Sequence, residues 1–281
     1  MKSVYALGPL GTNGHEAACR FIQKMPKEAH PDVDAVQLCE SHSDVFKHVS
    51  SENCYAVVPI ENSIEGLVAD TVRGFWLPMK WRGAVNVFVL GELNLPIRHV
   101  LVTRRGVKID KDTPVLSHPQ ALGQCRMNLA RLGQKVLVPT ASTAGAGAML
   151  VTEQAYARSA ALVPLLAAHT WGLEIHNDNM GDTPNNVTRF HLLGEGFCPL
   201  GTNYKTALIF WTQDKSRALV NALWAISADG ANMTSIHSLP LGTPGRYAFY
   251  VEFNEHAQSE MGKAIMRRLD TVTDKIHLLG H

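Results

Sequence analysis

The segment VYALGPLGTNGHEAACRFIQKM, residues 4–25, joins a strand to a helix through a glycine-rich turn. Its first four residues, Val4–Leu7, form an apolar run typical of a β-strand, and Gly8–Gly14 supplies turn residues. From His15 to Met25 the apolar residues recur at intervals of three and four, which predicts a helix. A strand that enters a helix in this way is the first half of a βαβ unit.

The same order of strand, turn and helix returns along most of the chain. Further extended segments are predicted at Tyr55–Ile60, Val85–Val89, His99–Thr103, Val115–Leu116, Val136–Val138 and Val187–Leu193, and helices at Gln120–Leu132 and Thr143–Glu153. Strands separated by helices of this length predict an α/β fold around a mainly parallel sheet. Ligands bind where the strands of such sheets end, which singles out the turns at residues 8–14, 60–66, 117–124 and 140–145.

A different pattern follows a turn-rich segment at residues 195–205, which is predicted to be an interdomain linker. The elements predicted beyond it are strand Thr206–Trp211, helix Ser216–Ala228, strands Met233–Ser238 and Tyr247–Phe253, helix Gln258–Leu269 and strand Lys275–Leu279. This βαββαβ order is that of the ferredoxin-like fold. Because a unit of about 75 residues buries only a modest core, we expect it to pair with a second copy in a homo-oligomer.

Composition and charge argue against several classes of protein. The chain has 281 residues with 26 Lys and Arg against 25 Asp and Glu, so its net charge of +1 gives no basic field for nucleic acid. Hydrophobic residues make up 46%, which is too many for a disordered chain. The uncharged stretch Ser159–Trp171 is interrupted by Pro164 and is too short to span a bilayer, and Met1-Lys2 leads straight into a strand. We therefore expect a cytoplasmic protein that binds neither nucleic acid nor membrane.

The cysteines and histidines do not follow the spacing of metal or disulfide sites. Five scattered cysteines contain no C-x-x-C pair, and thirteen histidines contain no H-E-x-x-H motif. Such cysteines are typical of reduced, buried thiols, and metal ligands normally come in closer patterns. We expect neither a metal nor a cofactor.

Two of the four turns carry groups that suit anion binding or acid–base chemistry. The turn at residues 8–14 opens a helix, so its backbone N–H groups are placed to hold an anion. The simpler alternative is a connection capped by Thr12 or Asn13. Pro59–Gly66 follows an apolar strand and carries two carboxylates, an amide and a hydroxyl. The alternative for that segment is a helix start capped by Ser63.

The segment Ser117–Cys125 places polar groups at a turn and one helical turn further on. This spacing lets Ser117 and Gln124 face the same cleft, whereas His118 is expected to be buried and satisfied, or to belong to a rigid turn with Pro119.

The tripeptide Thr188-Arg189-Phe190 lies near the start of a predicted strand. Strand alternation puts Thr188 and Phe190 on one face and Arg189 on the other. The alternative reading of Arg189 is a surface side chain on an edge strand.

Together these segments resemble the prephenate dehydratases, in chain order and over nearly the whole sequence. The family patterns G-P-x-G-T-F, P-I-E-N-S-x-E-G, S-H-P-Q-A-L-x-Q-C, S-T-A and N-x-T-R-F correspond to Gly8–Asn13, Pro59–Gly66, Ser117–Cys125, Ser142–Ala144 and Asn186–Phe190. Asn13 stands where the family usually has Phe. The C-terminal unit resembles an ACT domain, the small regulatory domain of this family.

The resemblance implies a specific domain plan. Residues 1–194 would form a catalytic domain with two subdomains of the periplasmic-binding-protein type, about 1–78 with 172–194 and 79–171. The active site would lie in the cleft between them, with Asn62 and Thr188 on one wall and Ser117, Gln124 and Ser142-Thr143 on the other. The ACT domain would span 206–281 after the linker.

The resemblance also implies the activity, which is the decarboxylating dehydration of prephenate to phenylpyruvate in phenylalanine biosynthesis. This reaction forms an aromatic ring and needs no cofactor. Thr188 would donate to the departing hydroxyl, and Glu61 would supply or orient the proton. The implied substrate-binding residues are Thr12, Asn62, Ser63, Ser117, Gln124, Ser142, Thr143, Arg189 and Phe190, of which Arg189 suits a carboxylate.

Three alternatives to this activity remain open. Two are enzymatic: an arogenate dehydratase, and a prephenate decarboxylase that does not aromatise the ring. The intact Thr188 argues against the decarboxylase, because loss of the hydroxyl needs a donor. The third is a ligand-sensing protein that reuses the cleft, and no DNA-binding helix pair accompanies it here.

The regulatory segments depart most from the family. ACT domains of these enzymes commonly bind phenylalanine between subunits through G-A-L-V and E-S-R-P segments, which here read Arg217–Val220 and His237–Pro240. The implied effector residues are Ala218, Leu219, Asn232, His237 and Ser238. We expect phenylalanine feedback to be weakened or retuned while the domain still mediates a dimer or tetramer. The alternative is a domain that serves dimerisation alone.

Overall fold

The computed structural model describes residues 3–25, 36–49, 54–81, 87–195, 205–243 and 245–280, with the helix at 76–81 described by its backbone. The chain divides into two compact units. The first combines Met1–Thr71 with Leu93–His191, and the second combines Val72–Glu92 with Leu192–His281. The predicted linker lies outside the described residues from 196 to 204, as does the start of the extended segment predicted at Val85–Val89.

The first unit alternates strands and helices around two sheets. Its elements are β1 (Ser3–Leu7), α1 (Asn13–Lys24), β2 (Val36–Cys39), α2 (His42–Val49), β3 (Cys54–Asn62), β4 (Gly66–Leu67), β6 (His99–Thr103), β7 (Val115–Ser117), α4 (Pro119–Gln124), α5 (Arg126–Arg131), β8 (Leu137–Pro139), α6 (Thr143–Thr152), β9 (Ala160–Pro164), α7 (Leu165–Thr170), β10 (Glu174–Asn177) and β11 (Val187–Gly194). Three of the described elements have residues in both units: α3 (Ala69–Trp81), β5 (Phe88–Pro96) and β11.

Both sheets contain a set of neighbouring parallel strands, and this confirms the predicted α/β class. In the first sheet the order is β11-β3-β1-β2, and Val4 of β1 pairs in parallel with Val36 and Tyr55. The second sheet has the order β10-β6-β9-β7-β8, with β7 parallel to both of its neighbours. Its strands β6 and β10 run antiparallel, so the sheet is more mixed than the sequence pattern predicted.

Small residues let α6 lie close against the second sheet. Ala144, Ala146 and Gly147 of this helix are buried, and a Cβ on Gly147 would lie 3.2 Å from Cγ1 of Val163 in β9. Strand β9 is buried on both faces, as expected for a central strand of an α/β sheet. The helix begins where the Ser142 hydroxyl accepts a hydrogen bond from the Gly145 N–H at 2.9 Å.

The single helix predicted at Gln120–Leu132 is wrong, because the structure has two short helices that meet at Cys125. The Cys125 side chain is fully buried, with φ −115° and ψ 12° at its backbone. The Asp182 carboxylate accepts from the N–H groups of Met127 and Asn128 at 2.8 and 2.9 Å, which satisfies the start of the second helix. An acceptor so distant in sequence leaves no trace in local periodicity.

The second unit has the predicted βαββαβ order. Its elements are β12 (Thr206–Trp211), α8 (Ala218–Ser227), β13 (Met233–Pro240), β14 (Tyr247–Phe253), α9 (Glu260–Val272) and β15 (Lys275–Gly280). The strand order is β13-β14-β12-β15, and β15 continues in parallel onto β5 at Val89. The helices cover one core, which contains Leu208, Phe210, Ile226, Val251 and Ile265.

Helix α8 begins two residues later than the predicted Ser216. Arg217 precedes it with φ +66°, a left-handed backbone conformation that glycine adopts more readily than arginine. This is the position where the family segment has Gly, so the structure gives a backbone reason for that preference.

Candidate active site

The Asn62 side chain links the end of β3 to the start of β11. Its Nδ2 donates to the Thr188 hydroxyl oxygen at 2.9 Å and to Oδ1 of Asn186 at 2.7 Å. Its Oδ1 accepts from the N–H groups of Ile64 and Glu65 at 2.9 and 3.0 Å. Two neighbouring strands of one sheet therefore bring two predicted site residues, Asn62 and Thr188, into direct contact.

A chain of side-chain amides continues from this contact to α4 and β6. Asn186 donates through Nδ2 to Oε1 of Gln124 at 3.2 Å, and Gln124 donates through Nε2 to the Glu65 carboxylate at 2.8 Å. The same Oε1 of Gln124 lies 3.1 Å from Nε2 of His99. The predicted Gln124 thus joins the cluster around Asn62.

Three members of this cluster were not predicted as site residues. Asn186 and Glu65 lie inside the motifs quoted above, so their sequence signal was present. His99 carried none, because a histidine at the start of an apolar strand is more often an ordinary core residue. The structure places it in the cluster through its contact with Gln124.

The orientation of each amide is fixed by groups that can only donate or only accept. Backbone N–H groups donate to Oδ1 of Asn62, so its Nδ2 must face Thr188 and Asn186. Because Asn62 donates to the Thr188 oxygen, the Thr188 hydroxyl must send its own proton elsewhere. No acceptor for that proton is recorded among the described residues. The site therefore presents a nearly buried hydroxyl as a hydrogen-bond donor.

Glu61 and Arg189 form a separate pair. Nη2 of Arg189 lies 2.9 Å from Oε2 of Glu61, with side chains 11% and 44% exposed respectively. Adjacent residues on a strand point to opposite faces, so this pair lies on the other side of the sheet from Asn62 and Thr188. The predicted alternation of Arg189 against Thr188 agrees with this. Glu61, which was expected to supply or orient the proton at the Thr188 site, therefore lies on the opposite face from Thr188.

The Gly8–Gly14 turn is a capped strand-to-helix connection. The Thr12 hydroxyl accepts from the His15 N–H at 3.2 Å and donates to the Leu7 carbonyl at 2.8 Å. The N–H of Gly11 donates to Nδ1 of His15, and the N–H of Thr12 donates to the Pro9 carbonyl. These two groups are therefore occupied, and the expected anion site on them is not formed in this structure.

Several other predicted binding residues have structural contacts. Ser117 was expected to face the cleft, but it is fully buried and its hydroxyl donates to the Leu162 carbonyl at 2.7 Å. Phe190 is buried in the core. Ser63 ties its loop to β11, since its hydroxyl accepts from the Val187 N–H at 3.0 Å and its own N–H donates to the Val187 carbonyl.

The residues around two helix starts are half-buried. Ser142 caps α6, and Thr143 is its first residue. His118 was expected to be buried, but it is half-exposed because its Nδ1 caps α4 by accepting from the Gln120 N–H at 3.3 Å. A capping residue has to stay near the surface turn that it closes.

Burial changes the ionisation of two groups near the cluster. It lowers the pKa of His99 below the ordinary value of 6.5, and the contact with Gln124 raises it by less. Burial, with a contribution from Asp182, raises the pKa of the Cys125 thiol to about 12. His99 is therefore neutral at physiological pH, and Cys125 is a protonated, unreactive thiol.

Two of the five predicted effector residues in the second unit line a cavity, and the other three do not. Ala218 and Leu219 line a cavity of about 600 Å³ together with Trp211, Lys215, Tyr247 and Lys275, among others. Asn232 and Ser238 are exposed on or next to β13, and His237 is half-buried there. These three are not among the described residues that line the cavity.

Within the described ranges no group of three or more His, Cys, Asp and Glu side chains is arranged to hold a metal ion. In that same part of the chain, no helix combines the length and apolar character needed to cross a membrane.

Known proteins resemble this chain over nearly its full length. The family model described as prephenate dehydratase matches residues 4–196. The prephenate dehydratase of Methanocaldococcus jannaschii is 35% identical over 284 residues, which cover 99% of this chain and 96% of the relative. The arogenate dehydratase/prephenate dehydratase 2 of Arabidopsis thaliana is 32% identical over 273 residues, or 92% of this chain and 69% of the relative.

The solved structures agree with the sequence relatives. The prephenate dehydratase of Arthrobacter aurescens in complex with L-Phe superposes with a TM-score of 0.84 at 28% identity, covering 100% of this chain and 89% of that one. The family match covers more than half of the chain, and it includes the Asn62–Thr188 contact. The chain therefore belongs to the prephenate dehydratase family.

Proposed function

We propose that the protein is a prephenate dehydratase, a carbon–oxygen lyase that converts prephenate into phenylpyruvate, carbon dioxide and water. One observation carries the proposal beyond family membership: Asn62 occupies the Thr188 oxygen, so the Thr188 hydroxyl is left as a donor. A reaction that expels hydroxide needs a donor of this kind.

The chemistry needs little more than positioning. The bond between the ring and its carboxylate breaks, and its electron pair enters the ring as carbon dioxide leaves. The carbon–oxygen bond at the opposite ring carbon breaks, and the departing hydroxide takes up a proton to leave as water. Formation of the aromatic ring supplies the driving force, so the protein has to stabilise charge on the leaving oxygen and hold the substrate.

We assign that stabilisation to Thr188, whose position is set by Asn62. Thr188 is only 8% exposed, and a hydrogen bond to a developing negative charge is stronger where water is excluded. We assign the Glu61–Arg189 pair to holding β3 against β11, since it joins the same two strands on the other face. In this assignment the pair fixes the spacing that the Asn62–Thr188 contact requires.

Purified protein incubated with prephenate and, separately, with arogenate tests the proposal. We expect phenylpyruvate from prephenate, measured by its ultraviolet absorbance in alkali. Phenylalanine formed from arogenate alone would make the protein an arogenate dehydratase, in keeping with the doubly named plant relative. A decarboxylated product that keeps its hydroxyl group would instead indicate a decarboxylase. Binding of prephenate without turnover would indicate a sensor.

We further propose that residues 206–281 form an ACT domain that follows a catalytic domain at 1–194 and a linker at 195–205. The βαββαβ order and the cavity beside Ala218 and Leu219 support this proposal. Arg217 stands in a left-handed conformation at the edge of the cavity-lining segment, where its bulk alters any effector site formed there. We propose that the domain mediates a dimer or tetramer and that its response to phenylalanine is weakened or retuned.

A thermal scan tests this regulation, because a ligand that binds only the folded protein raises its Tm. We expect phenylalanine to raise the Tm only slightly. Tyrosine, tryptophan and methionine at the same concentrations serve as comparison ligands. An Arg217→Gly variant, which restores the family residue, should respond more strongly to phenylalanine. A large shift together with strong inhibition of the unaltered protein by sub-millimolar phenylalanine would contradict the proposal.

A further inference from the structure

His99 ends the amide chain that leads from Thr188. It begins β6, is 6% exposed, and has one recorded side-chain contact, from Nε2 to Oε1 of Gln124 at 3.1 Å. Its Nδ1 is buried and has no partner among the described residues. A buried nitrogen without a partner costs stability, and an apolar side chain of similar size would avoid that cost.

The contacts of Gln124 fix which nitrogen of His99 carries the proton. Nε2 of Gln124 donates to the Glu65 carboxylate, so its Oε1 must face Asn186 and His99. An amide oxygen only accepts hydrogen bonds, so the His99 Nε2 has to be protonated and donate. The ring is therefore the neutral tautomer with its proton on Nε2, and its Nδ1 is an unprotonated, unpaired acceptor.

This bond restrains the amide plane of Gln124. With two donors on Oε1 and one acceptor on Nε2, Gln124 cannot rotate without breaking three hydrogen bonds. Without His99, two of the three remain, and a flipped or tilted Gln124 no longer presents its oxygen to Asn186. Asn186 accepts from the same Nδ2 group of Asn62 that donates to Thr188. A displacement of Asn186 therefore also shifts Asn62 and the Thr188 hydroxyl.

We propose that His99 is a positioning residue for the dehydration, which acts through Gln124, Asn186 and Asn62 to hold the Thr188 hydroxyl as a donor. The inference rests on the proposed function and adds a residue outside every motif that identified the family. His99 does not touch the substrate in this proposal, so its loss lowers kcat more than it raises KM.

Two variants that both carry a side-chain amide test whether the position of the N–H donor matters or only the polarity of the side chain. In His99→Gln the terminal NH₂ reaches about as far as Nε2 of the imidazole, whereas in His99→Asn it reaches only about as far as Nδ1. We expect His99→Asn to lower kcat about tenfold with KM within about twofold, and His99→Gln to retain kcat within about threefold. Equal losses in both variants, or an unchanged kcat in His99→Asn, would overturn the proposal.

A control on the same strand separates positioning from stability. Thr103 is fully buried on β6, and its hydroxyl oxygen contacts the carbonyls of Arg104 and Val107 and Nε2 of His176, with no contact to Gln124 among the described residues. Thr103→Val should lower the Tm and leave kcat unchanged. If kcat fell with Tm in the same proportion in Thr103→Val and His99→Asn, the role of His99 would be structural and the proposal would be wrong.

A double-mutant cycle with Gln124→Ala tests the route. If His99 acts through Gln124, the loss from His99→Asn should disappear once Gln124 is replaced, giving a coupling close to the whole single-mutant effect. Additive losses would show that His99 acts by another path and would overturn the route proposed here.

The tautomer can be measured without any activity. In protein labelled with ¹⁵N-histidine, the nitrogen shifts of His99 should show a protonated Nε2 and an unprotonated Nδ1 at neutral pH. A protonated Nδ1 would contradict the inference even in an active enzyme. An inactive protein with the expected tautomer would instead contradict the proposed function, so the two failures are distinguishable.

Discussion

At the scale of single residues, the Asn62–Thr188 contact separates two tasks that a threonine hydroxyl normally shares. A free hydroxyl both donates and accepts, and in water it does so in any direction. Here the Thr188 oxygen accepts from the Asn62 amide, which leaves donation as the remaining role of the hydroxyl. The backbone N–H groups of Ile64 and Glu65 fix the amide in turn, so a loop geometry determines the direction of a side-chain proton.

Thr188→Val keeps the shape of the side chain and removes the donor. We expect kcat to fall about 100-fold or more, the usual effect of losing a positioned proton-transfer or electrostatic group, with little change in KM. Thr188→Ser keeps the hydroxyl and should recover most of the activity. The measurement is steady-state turnover of prephenate, and a Val variant with most of its kcat would remove Thr188 from the mechanism.

The sequence predicted those residues whose role depends on local patterns. Asn62 lies in a turn that the strand-end rule selected, whereas Thr188 lies near the start of its strand and was placed beside Asn62 by the family resemblance. Ser117 lies in an equally clear motif, yet its hydroxyl turns into the sheet toward Leu162. His99 lies in no motif at all. The roles of Ser117 and His99 depend on their rotamers and on partners distant in sequence. The periodicity of the sequence carries no information about either.

At the scale of elements, the turn after β1 contacts a helix from much later in the chain. Gly11 has φ +87°, and a Cβ there would lie 2.7 Å from the Cα of Ala167 in α7. Backbone cannot give way as a flexible side chain does. Position 11 is therefore restricted to glycine for two independent reasons: its left-handed backbone conformation and the close approach of α7.

Gly11→Ala should destabilise the protein more than a left-handed backbone alone explains. Gly106 provides the matched control, with φ +77° and open space around the position of a Cβ. We expect Gly106→Ala to cost about 1 kcal/mol for its backbone conformation, and Gly11→Ala to cost a further 1–3 kcal/mol or so from overpacking. Urea unfolding measures both. Equal losses would show that α7 moves aside freely.

The elements also show the limits of prediction from sequence. The βαββαβ order of the second unit was predicted in full, because its apolar strands and helices are separated by clear turn residues. The strands β2, β9 and β10 and the helices α2, α3 and α7 were not predicted. The uniformly apolar β9 cannot be told from a buried helix by periodicity, and its identity follows only from its neighbours β6 and β7.

At the scale of the whole molecule, one buried and three half-buried histidines make stability depend on pH. Burial lowers the pKa of His15, His42, His99 and His277 below the ordinary value of 6.5. As the pH falls below 6.5, these histidines become protonated in the unfolded chain while they are still neutral in the folded protein. The unfolded state then binds more protons, so the free energy of unfolding rises with pH across this window.

We therefore expect the protein to be less stable at pH 5.5 than at pH 7.5. The well-buried His99 contributes at most about 1.4 kcal/mol for each pH unit. His99→Gln should narrow the difference between the two pH values because it removes one such group. Urea unfolding at both pH values measures it. A protein equally stable at both, or more stable at pH 5.5, would contradict the assignment of these histidines as neutral in the folded state.

The pairing of β15 with β5 has a consequence for how the chain is made. Val89 leaves the ribosome long before Gly280, so its strand must wait for its parallel partner until nearly all the other described residues have been synthesised. A contact between such distant segments closes slowly, because the entropy of the intervening loop is lost before the pairing repays it. A premature stop before Lys275 would therefore leave an interior strand without its neighbour, and the nascent chain would carry an open sheet edge for the quality-control machinery of the cell to recognise.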